Sequence, residues 1–342
     1  MSGDRIESIG APGGLTGLAA LDGASILITG GSGYLASALT RLLSPVRCRI
    51  VRMSRQPGAN PHPDGAATIE PLVADLREPG RWTGQVRDAD VVFHLAAQTS
   101  VAVASSRPLD DLAINVEPML HLLEAGSAGG RSRTIVFAGT VTESGPPQQL
   151  PVDEQTPDAP TTVYDLHKLV AEQYLKQYAR QGAVQGTTLR LANVYGPGPA
   201  HSSADRGILN LMVQRALRGQ PVTIYGDGAW LRDYVYVDDV AAAFVLAAAR
   251  IAETNGRHFV IGTGQGHTIA EALHLVATQV TARTGRPVAV QHVDPPAAQP
   301  SIDFRHCVAD SRAFQHATGW RPAVDLRTGL ARTVDAFLTQ AG

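Results

Sequence analysis

Thr29-Gly30-Gly31-Ser32-Gly33-Tyr34-Leu35-Ala36 is the stretch on which the reading of this chain turns. A β-branched run, Ser25–Thr29, leads into it, and apolar residues at helical spacing over 34–43 lead out, so the glycines stand at a strand-to-helix turn. Gly30 permits the tight turn, Gly33 lets the backbone approach a pyrophosphate, and the small Ala36 allows the helix to pack closely on the sheet. A glycine-rich turn without a ligand has the same composition; the placement between strand and helix is what points to a dinucleotide. Gly30, Ser32, Gly33, Tyr34 and Leu35 are therefore candidate cofactor contacts.

Outward from that turn, short β-branched runs at 49–53, 71–74, 91–95, 134–138 and 187–191 alternate with helical stretches at 109–125 and 163–180. The alternation predicts an α/β fold, a Rossmann-type doubly wound parallel sheet covered on both faces. After Asn193 the pattern loosens, with prolines punctuating shorter elements and helices at 208–217 and 269–284. The expected organisation is a flexible leader over 1–23, a nucleotide-binding domain over 24–192, and a smaller C-terminal lobe over 193–342. That lobe is read as mainly substrate-binding, with segments returning to the core.

With 342 residues the chain can bury a large core, and a net charge of -2 with 18% charged residues supplies no basic field for nucleic acid or a membrane surface. Cys48 and Cys307 lie far apart without metal-ligand spacing, so neither a metal site nor a disulfide is expected, and a cytoplasmic location fits best. Residues 1–23 lack the basic and apolar regions of a signal peptide, and no run of about eighteen apolar residues occurs.

Dinucleotide folds that prefer NAD place an acidic residue at the end of the second strand, where it binds both ribose hydroxyls. Here that strand ends Ile50-Val51-Arg52-Met53-Ser54-Arg55. Ser54 takes the acidic position and Arg55 offers a guanidinium to a 2′-phosphate, which favours NADP(H); solvated strand-end charges at Arg52 and Arg55 are the bland alternative. Asp75 is placed to meet the adenine edge, and Leu95, Ala96 and Ala97 are small enough to let a cofactor lie against the backbone.

Tyr164 and Lys168 form a YxxxK pair whose i,i+4 spacing puts phenol and ammonium on one helix face. A cation beside the phenol is expected to lower its pKa towards the range useful for proton transfer. The fifth strand ends at Thr140, whose hydroxyl could bond the same carbonyl oxygen. His167 is read as an ordinary surface or packing histidine, Trp230 and Tyr225 as core as readily as pocket, and His201 as a loop residue without a role.

Together with the glycine turn, Thr140 and YxxxK, three later segments carry a family likeness: 189–197 (LRLANVYGP), 226–240 (GDGAWLRDYVYVDDV) and 318–322 (TGWRP). The chain resembles the extended short-chain dehydrogenase/reductases of nucleotide-sugar metabolism over nearly its whole length. That resemblance implies catalysis by Thr140, Tyr164 and Lys168, with Tyr164 and Lys168 also touching the cofactor. It further implies that Thr140, Asn193, Arg232 and Arg305 contact substrate, the last three at the nucleotide diphosphate, and that two long helices pair in a homodimer.

Family members of this kind act as epimerases, dehydratases, reductases or decarboxylases. Dehydratases carry an Asp-Glu pair after the threonine, whereas Val141 and Thr142 follow Thr140 and Glu143 comes one position late. Epimerases usually have the acidic strand-two residue and a Tyr where Ser144 stands. The Ser54-Arg55 ending, 205–207 (DRG), 216–221 (ALRGQP) and TGWRP are most similar to the bacterial dTDP-4-keto-6-deoxyhexose 4-ketoreductases. The resemblance thus implies NADPH-dependent reduction of a dTDP-linked 4-ketosugar, with a nucleotide-sugar epimerase as the alternative and a non-catalytic NADP sensor as a third reading.

Overall fold

A computed structural model of the chain describes residues 17–56, 64–198, 207–295 and 305–341. The first six strands are β1 (Ser25–Thr29), β2 (Arg49–Ser54), β3 (Thr68–Val73), β4 (Val91–His94), β5 (Thr134–Thr140) and β6 (Gln185–Leu191). Six more follow: β7 (Asn193–Tyr195), β8 (Val222–Tyr225), β9 (Leu231–Tyr236), β10 (His258–Ile261), β11 (Gly266–Thr268) and β12 (Val290–Val293). A seven-stranded sheet runs in the order β10-β6-β5-β4-β1-β2-β3, and every pairing in it is parallel. β1 bonds to both β2 and β4, so the strand order reverses there and a crevice opens beyond the carboxyl ends of the strands. The other strands form a three-stranded sheet, β11-β9-β7, and a two-stranded one, β12-β8.

Strand alternation sends successive side chains to opposite faces, and both faces here are dry. Ile26, Ile28, Phe93 and Val136 pack with Phe244 of the alanine-rich helix Val237–Ala249, while Leu27, Val51, Val92 and Phe137 pack with Leu122, Ala171 and Leu175 on the other side. Each fully buried side chain of this size contributes about 1.5–3 kcal/mol relative to exposure. A separate cluster, including Met212, Ile224, Tyr236, Leu273 and Leu330, fills the C-terminal part of the chain.

Three expectations are corrected. Residues 17–23, read as part of a flexible leader, are fastened to the core, where Leu18 and Leu21 are buried and the Gly23 N–H bonds the Arg47 carbonyl at 2.7 Å. The third strand starts at Thr68 rather than 71 and tolerates Pro71 because β3 is an edge strand. Thr68 and Ala74 donate to carbonyls of Cys48 and Ser54, so by alternation the Pro71 nitrogen faces away from β2, where no N–H is needed. The helix expected over 109–125 is two helices, Pro108–Asn115 and Glu117–Ser127, because Pro118 suits a first turn and not a helix interior.

The helix Val163–Arg180 keeps its expected bounds, started by the Thr162 hydroxyl accepting from the Asp165 N–H. Its inner face is not simply apolar. Glu172 accepts from buried Arg190 of β6 at 2.9 and 2.6 Å and from Lys176 at 2.6 Å, and Lys176 lies 2.5 Å from His258 of β10. Removing Arg190 alone would strand buried carboxylates at a cost of about 3–5 kcal/mol.

Two histidines, the buried His94 and the half-buried His258, make stability pH-dependent. Burial holds His94 down to about 3 and His258 down to about 4, the latter despite the Glu172 charge. Their unfolded counterparts take up protons near pH 6.5, so their contribution is complete above that pH and is lost as pH falls towards 4. We expect each to withdraw about 2 kcal/mol of stability between pH 7 and 5. Urea unfolding at the two pH values checks this: the wild type should lose stability and His258→Gln should lose less, whereas equal losses would remove the assignment.

Candidate active site

The ends of β1, β2, β4 and β5 open into a cleft of about 790 Å³. Gly30, Ser32, Gly33, Tyr34 and Leu35 line one end of it; Ser54, Arg55 and Asp75 line it at the tips of β2 and β3. Leu95, Ala96 and Ala97 line it beyond β4, and Thr140, Tyr164, Lys168 and Asn193 complete the candidate set that the fold brings together. Gln98, Arg77 and Arg107 line it too, and local spacing gave no sign of them.

The glycine turn suits a pyrophosphate. Gly30 has φ +70°, and a Cβ there would sit 2.9 Å from both the N and the Cα of Ala96, so the position is closed to any side chain. Gly33 is the extended N-cap of the helix Tyr34–Leu43 and supplies no side-chain cap, which leaves first-turn N–H groups to an anion in the cleft. The wall opposite is fixed by Thr29, whose Oγ1 accepts from the Leu95 and Ala96 N–H groups at 3.2 Å each and lies 2.8 Å from His94 Nδ1. These features form a cradle that fits a dinucleotide backbone.

At the tip of β2 the two arginines part. Arg52 is buried and its guanidinium donates to the Gly31 carbonyl, from Nε at 3.0 Å, so it braces the turn. Arg55 is exposed and lines the cleft beside Ser54. Asp75 pairs with Arg77 at 2.7 Å, and that hydrogen-bonded cation holds its carboxyl down to about 2.

At the far end, Thr140 closes β5 while Tyr164 and Lys168 rise one turn apart from the helix Val163–Arg180. The Lys168 ammonium is buried and stands 4.0 Å from the centre of the Phe137 ring. Burial lowers its pKa, against the carboxylates of Glu143, Asp111 and Glu172. The expected lowering of the Tyr164 phenol by Lys168 is corrected: burial raises its pKa, and the charges of Glu143, Asp165 and Asp111 raise it further. Tyr164 therefore holds its proton at neutral pH, the form that can donate to an alkoxide.

Glu143, in the single turn Val141–Ser144, is fully buried and turned back on the end of β5. Its Oε1 accepts from the Thr140 N–H at 2.8 Å in a capping box, and its Oε2 lies 3.1 Å from Arg190 Nε. Behind the helix, buried Asp111 bonds His167 Nδ1 at 2.7 Å and Gln98 Nε2 at 2.7 Å, while the Asn115 side chain bonds the Gln98 backbone through both its oxygen and its nitrogen. His167, read as ordinary, thus anchors the loop that carries Gln98. Only the i,i+4 spacing of Asp111 and Asn115 could have hinted at that network.

Arg232 and Arg305 are not among the described lining residues. The Arg232 guanidinium donates to the carbonyls of Leu231 and Arg305, and Arg305 donates to the Gly145 carbonyl at 2.9 Å. Trp230 tilts against His306 with ring centres 4.9 Å apart, and Tyr225 is exposed. His201, Asp205 and Arg206 lie outside the described residues. Among the described residues no cluster of His, Cys, Asp and Glu could hold a metal ion, and no helix is long and apolar enough to cross a membrane.

Gly30→Ala should abolish tight dinucleotide binding, since its Cβ meets backbone that cannot yield, while Ser32→Ala leaves the fold and most binding intact. Calorimetric titration with NAD and NADP, alongside a thermal melt of each variant, checks this; unchanged binding by Gly30→Ala would move the cofactor elsewhere.

Residues 26–262 match the NAD dependent epimerase/dehydratase family. A UDP-glucose 4-epimerase of Mycolicibacterium smegmatis is 31% identical over 320 residues, spanning 91% of this chain and 97% of the relative. Among solved structures, UDP-glucose 4-epimerase from Thermotoga maritima with UDP-glucose aligns with a TM-score of 0.79 at 30% identity, covering 93% of this chain and 100% of that one. The Thermus thermophilus UDP-glucose 4-epimerase in complex with NAD aligns with a TM-score of 0.75 at 30% identity, covering 92% and 99%. With the seven-stranded parallel sheet and its dinucleotide cleft, these similarities establish that the chain belongs to the NAD dependent epimerase/dehydratase family.

Proposed function

We propose that this chain epimerises C4 of a pyrimidine nucleoside-diphosphate sugar, using a nicotinamide cofactor that is reduced and reoxidised within one turnover. The observation that carries the proposal is the meeting of Thr140, Tyr164 and Lys168 at one end of a dinucleotide cleft, in a chain similar to UDP-glucose 4-epimerases over nearly its full length. The cofactor supplies a hydride acceptor and donor and, when oxidised, a positive charge that lowers a neighbouring phenol's pKa.

Tyr164, deprotonated only when the oxidised cofactor's charge offsets its burial, would take the O4 proton as the C4 hydride leaves, giving a 4-ketose. The phenol returns the proton when the hydride is delivered to the opposite face. Thr140 hydrogen-bonds the same oxygen, and the Lys168 ammonium holds the nicotinamide ribose in place. Asn193, which lines the cleft, binds the diphosphate in this proposal, and Arg232 and Arg305 join it by exchanging the backbone carbonyls of Leu231, Arg305 and Gly145 for phosphate oxygens. Loss of water is left out, because the Glu143 carboxylate is occupied with the Thr140 N–H and Arg190 and does not face the cleft.

A second reading, net NADPH-dependent reduction of a dTDP-4-keto-6-deoxyhexose in deoxysugar biosynthesis, is favoured by one observation. Ser54 and Arg55 line the cleft where a carboxylate would bind an NAD ribose, and a cofactor consumed in each turnover must exchange. NADP(H) preference through Arg55 is part of the proposal under either reading. So is a cytoplasmic homodimer: Cys48 and Cys307 are both free, and Leu109, Leu166 and Tyr174 are exposed on the helices Pro108–Asn115 and Val163–Arg180. Sedimentation velocity giving a monomer would end the dimer part.

The test incubates the protein with UDP-glucose, UDP-galactose and their dTDP counterparts, and separately with NADPH and dTDP-4-keto-6-deoxyglucose, following products by NMR. Interconversion of C4 epimers without net cofactor change is expected; stoichiometric NADPH oxidation would move the assignment to the reductase, and neither would end both. Tyr164→Phe should lower kcat by about 10²–10⁴ with cofactor binding retained. Arg55→Ala should weaken NADP binding relative to NAD by about tenfold, which competitive titration measures.

A further inference from the structure

One buried carboxylate joins the cleft wall beyond β4 to the helix that carries Tyr164 and Lys168. Asp111, on the helix Pro108–Asn115, is fully buried. Its Oδ1 accepts from Gln98 Nε2 at 2.7 Å and from Asn115 Nδ2 at 3.0 Å, and its Oδ2 lies 2.7 Å from His167 Nδ1. Gln98 follows Leu95, Ala96 and Ala97 along the cleft, and His167 directly precedes Lys168 on the helix Val163–Arg180.

The protons of this cluster have one arrangement. An ionised carboxylate only accepts, so with Asp111 ionised His167 carries a proton on Nδ1. Asn115 spends both Nδ2 protons, on Asp111 and on the Gln98 carbonyl at 2.9 Å, and its Oδ1 accepts from the Gln98 N–H at 3.1 Å. Gln98 spends both Nε2 protons, on Asp111 and on the Ser100 carbonyl at 2.9 Å, while its Oε1 accepts from the Ser100 N–H. Turning either amide over would set donor against donor and oxygen against oxygen, so the loop 98–100 has one way to sit on the helix Pro108–Asn115.

The loop leaves β4 and the helix Val163–Arg180 follows β5, so they reach the cleft from different parts of the chain. Burial dominates the pKa of both Tyr164 and Lys168, and behind it the charges of Glu143 and Asp111 are felt by both, which places Asp111 within electrostatic reach of each. A nicotinamide lying along the loop has to meet the phenol carried by the helix, and a misplacement of about 1 Å at such a contact costs about 10²-fold in rate.

Resting on the C4 chemistry proposed above, we propose that Asp111 is a positioning residue that fixes the spacing between the loop at Gln98 and the helix turn bearing Tyr164 and Lys168, with His167 as the helix end of the tie. The tie sets the rate of hydride transfer rather than the affinity for cofactor, because the pyrophosphate cradle is built separately, from Thr29 and the turn at Gly30.

Two substitutions at the half-exposed end of the tie test it. His167→Ala removes the donor to Asp111, and His167→Asn keeps an N–H where Nδ1 stands. Amide hydrogen exchange reads the tie without any activity. His167→Ala should speed exchange at Gln98 and Ser100 by about tenfold and leave the helix Val237–Ala249 unchanged, and His167→Asn should restore protection. Unchanged exchange at Gln98 and Ser100, an equal increase in Val237–Ala249, or no recovery in His167→Asn overturns the proposal. Turnover of UDP-glucose, UDP-galactose and their dTDP counterparts reads the consequence. His167→Ala should lower kcat by about tenfold, with deuterium at C4 of the sugar slowing it further, while KM and the NAD and NADP dissociation constants stay within about twofold; His167→Asn should recover most of kcat. A wild-type kcat in His167→Ala, or a loss carried by cofactor affinity, also overturns it. A wild-type protein that converts none of these sugars would end the C4 reading, while the exchange result would still decide whether the tie exists.

Discussion

The cleft depends on one hydroxyl at the place where the sheet reverses direction. Thr29, the last residue of β1, receives the N–H groups of Leu95 and Ala96 and touches His94, so the chain leaving β4 is held against the turn that leaves β1. That closeness is why Gly30 has no room for a Cβ, and why backbone rather than side chain faces whatever lies between the two strand ends. Parallel strands cannot satisfy the groups beyond their carboxyl ends by pairing, and here a single buried oxygen takes over that task on one side. Arg52 does the equivalent on the other side by donating to the Gly31 carbonyl.

The helix Val163–Arg180 links chemistry to stability. Tyr164 and Lys168 meet the cleft, while two turns on Glu172 enters a buried ionic cluster with Arg190, Lys176 and His258. The same helix is contacted from its other flank by Asp111 through His167. A side chain with five fixed donors and two well-placed acceptors tolerates little sliding, so the phenol and ammonium are positioned by charges they do not touch. Buried ion pairs seldom raise stability above that of an apolar core, and positional precision beside the proposed reaction centre is a sufficient reason for their presence.

What could be read without coordinates were the local patterns: the glycine turn between strand and helix, the YxxxK spacing, and the alternation that makes a parallel sheet. Each is written within a few consecutive residues. The third strand was misplaced because Pro71 looked like a boundary, and only the edge position of β3 makes it admissible. The break at Val116 was missed because the apolar spacing on either side is continuous, whereas Pro118 acts on backbone geometry. Asp111 with His167, Glu143 with Arg190, and Thr142 with Asp165 were invisible for another reason. Their members are separated in sequence, and each residue alone has the composition of an ordinary surface. The raised Tyr164 phenol belongs to the same class, since burial and three distant carboxylates set it rather than the lysine one turn away.

Pro71 also shapes how the molecule meets other molecules. An outermost strand normally presents a row of free N–H and C=O groups, an invitation to a strand from another chain. On β3 the nitrogen that would stand in the middle of that row carries no hydrogen, and Glu70 beside it is held by Arg49 of β2. A foreign strand laid along this edge would lose a central bond and meet a charged pair. The residue that disguises the strand in the sequence thus blunts the sheet against edge-to-edge aggregation.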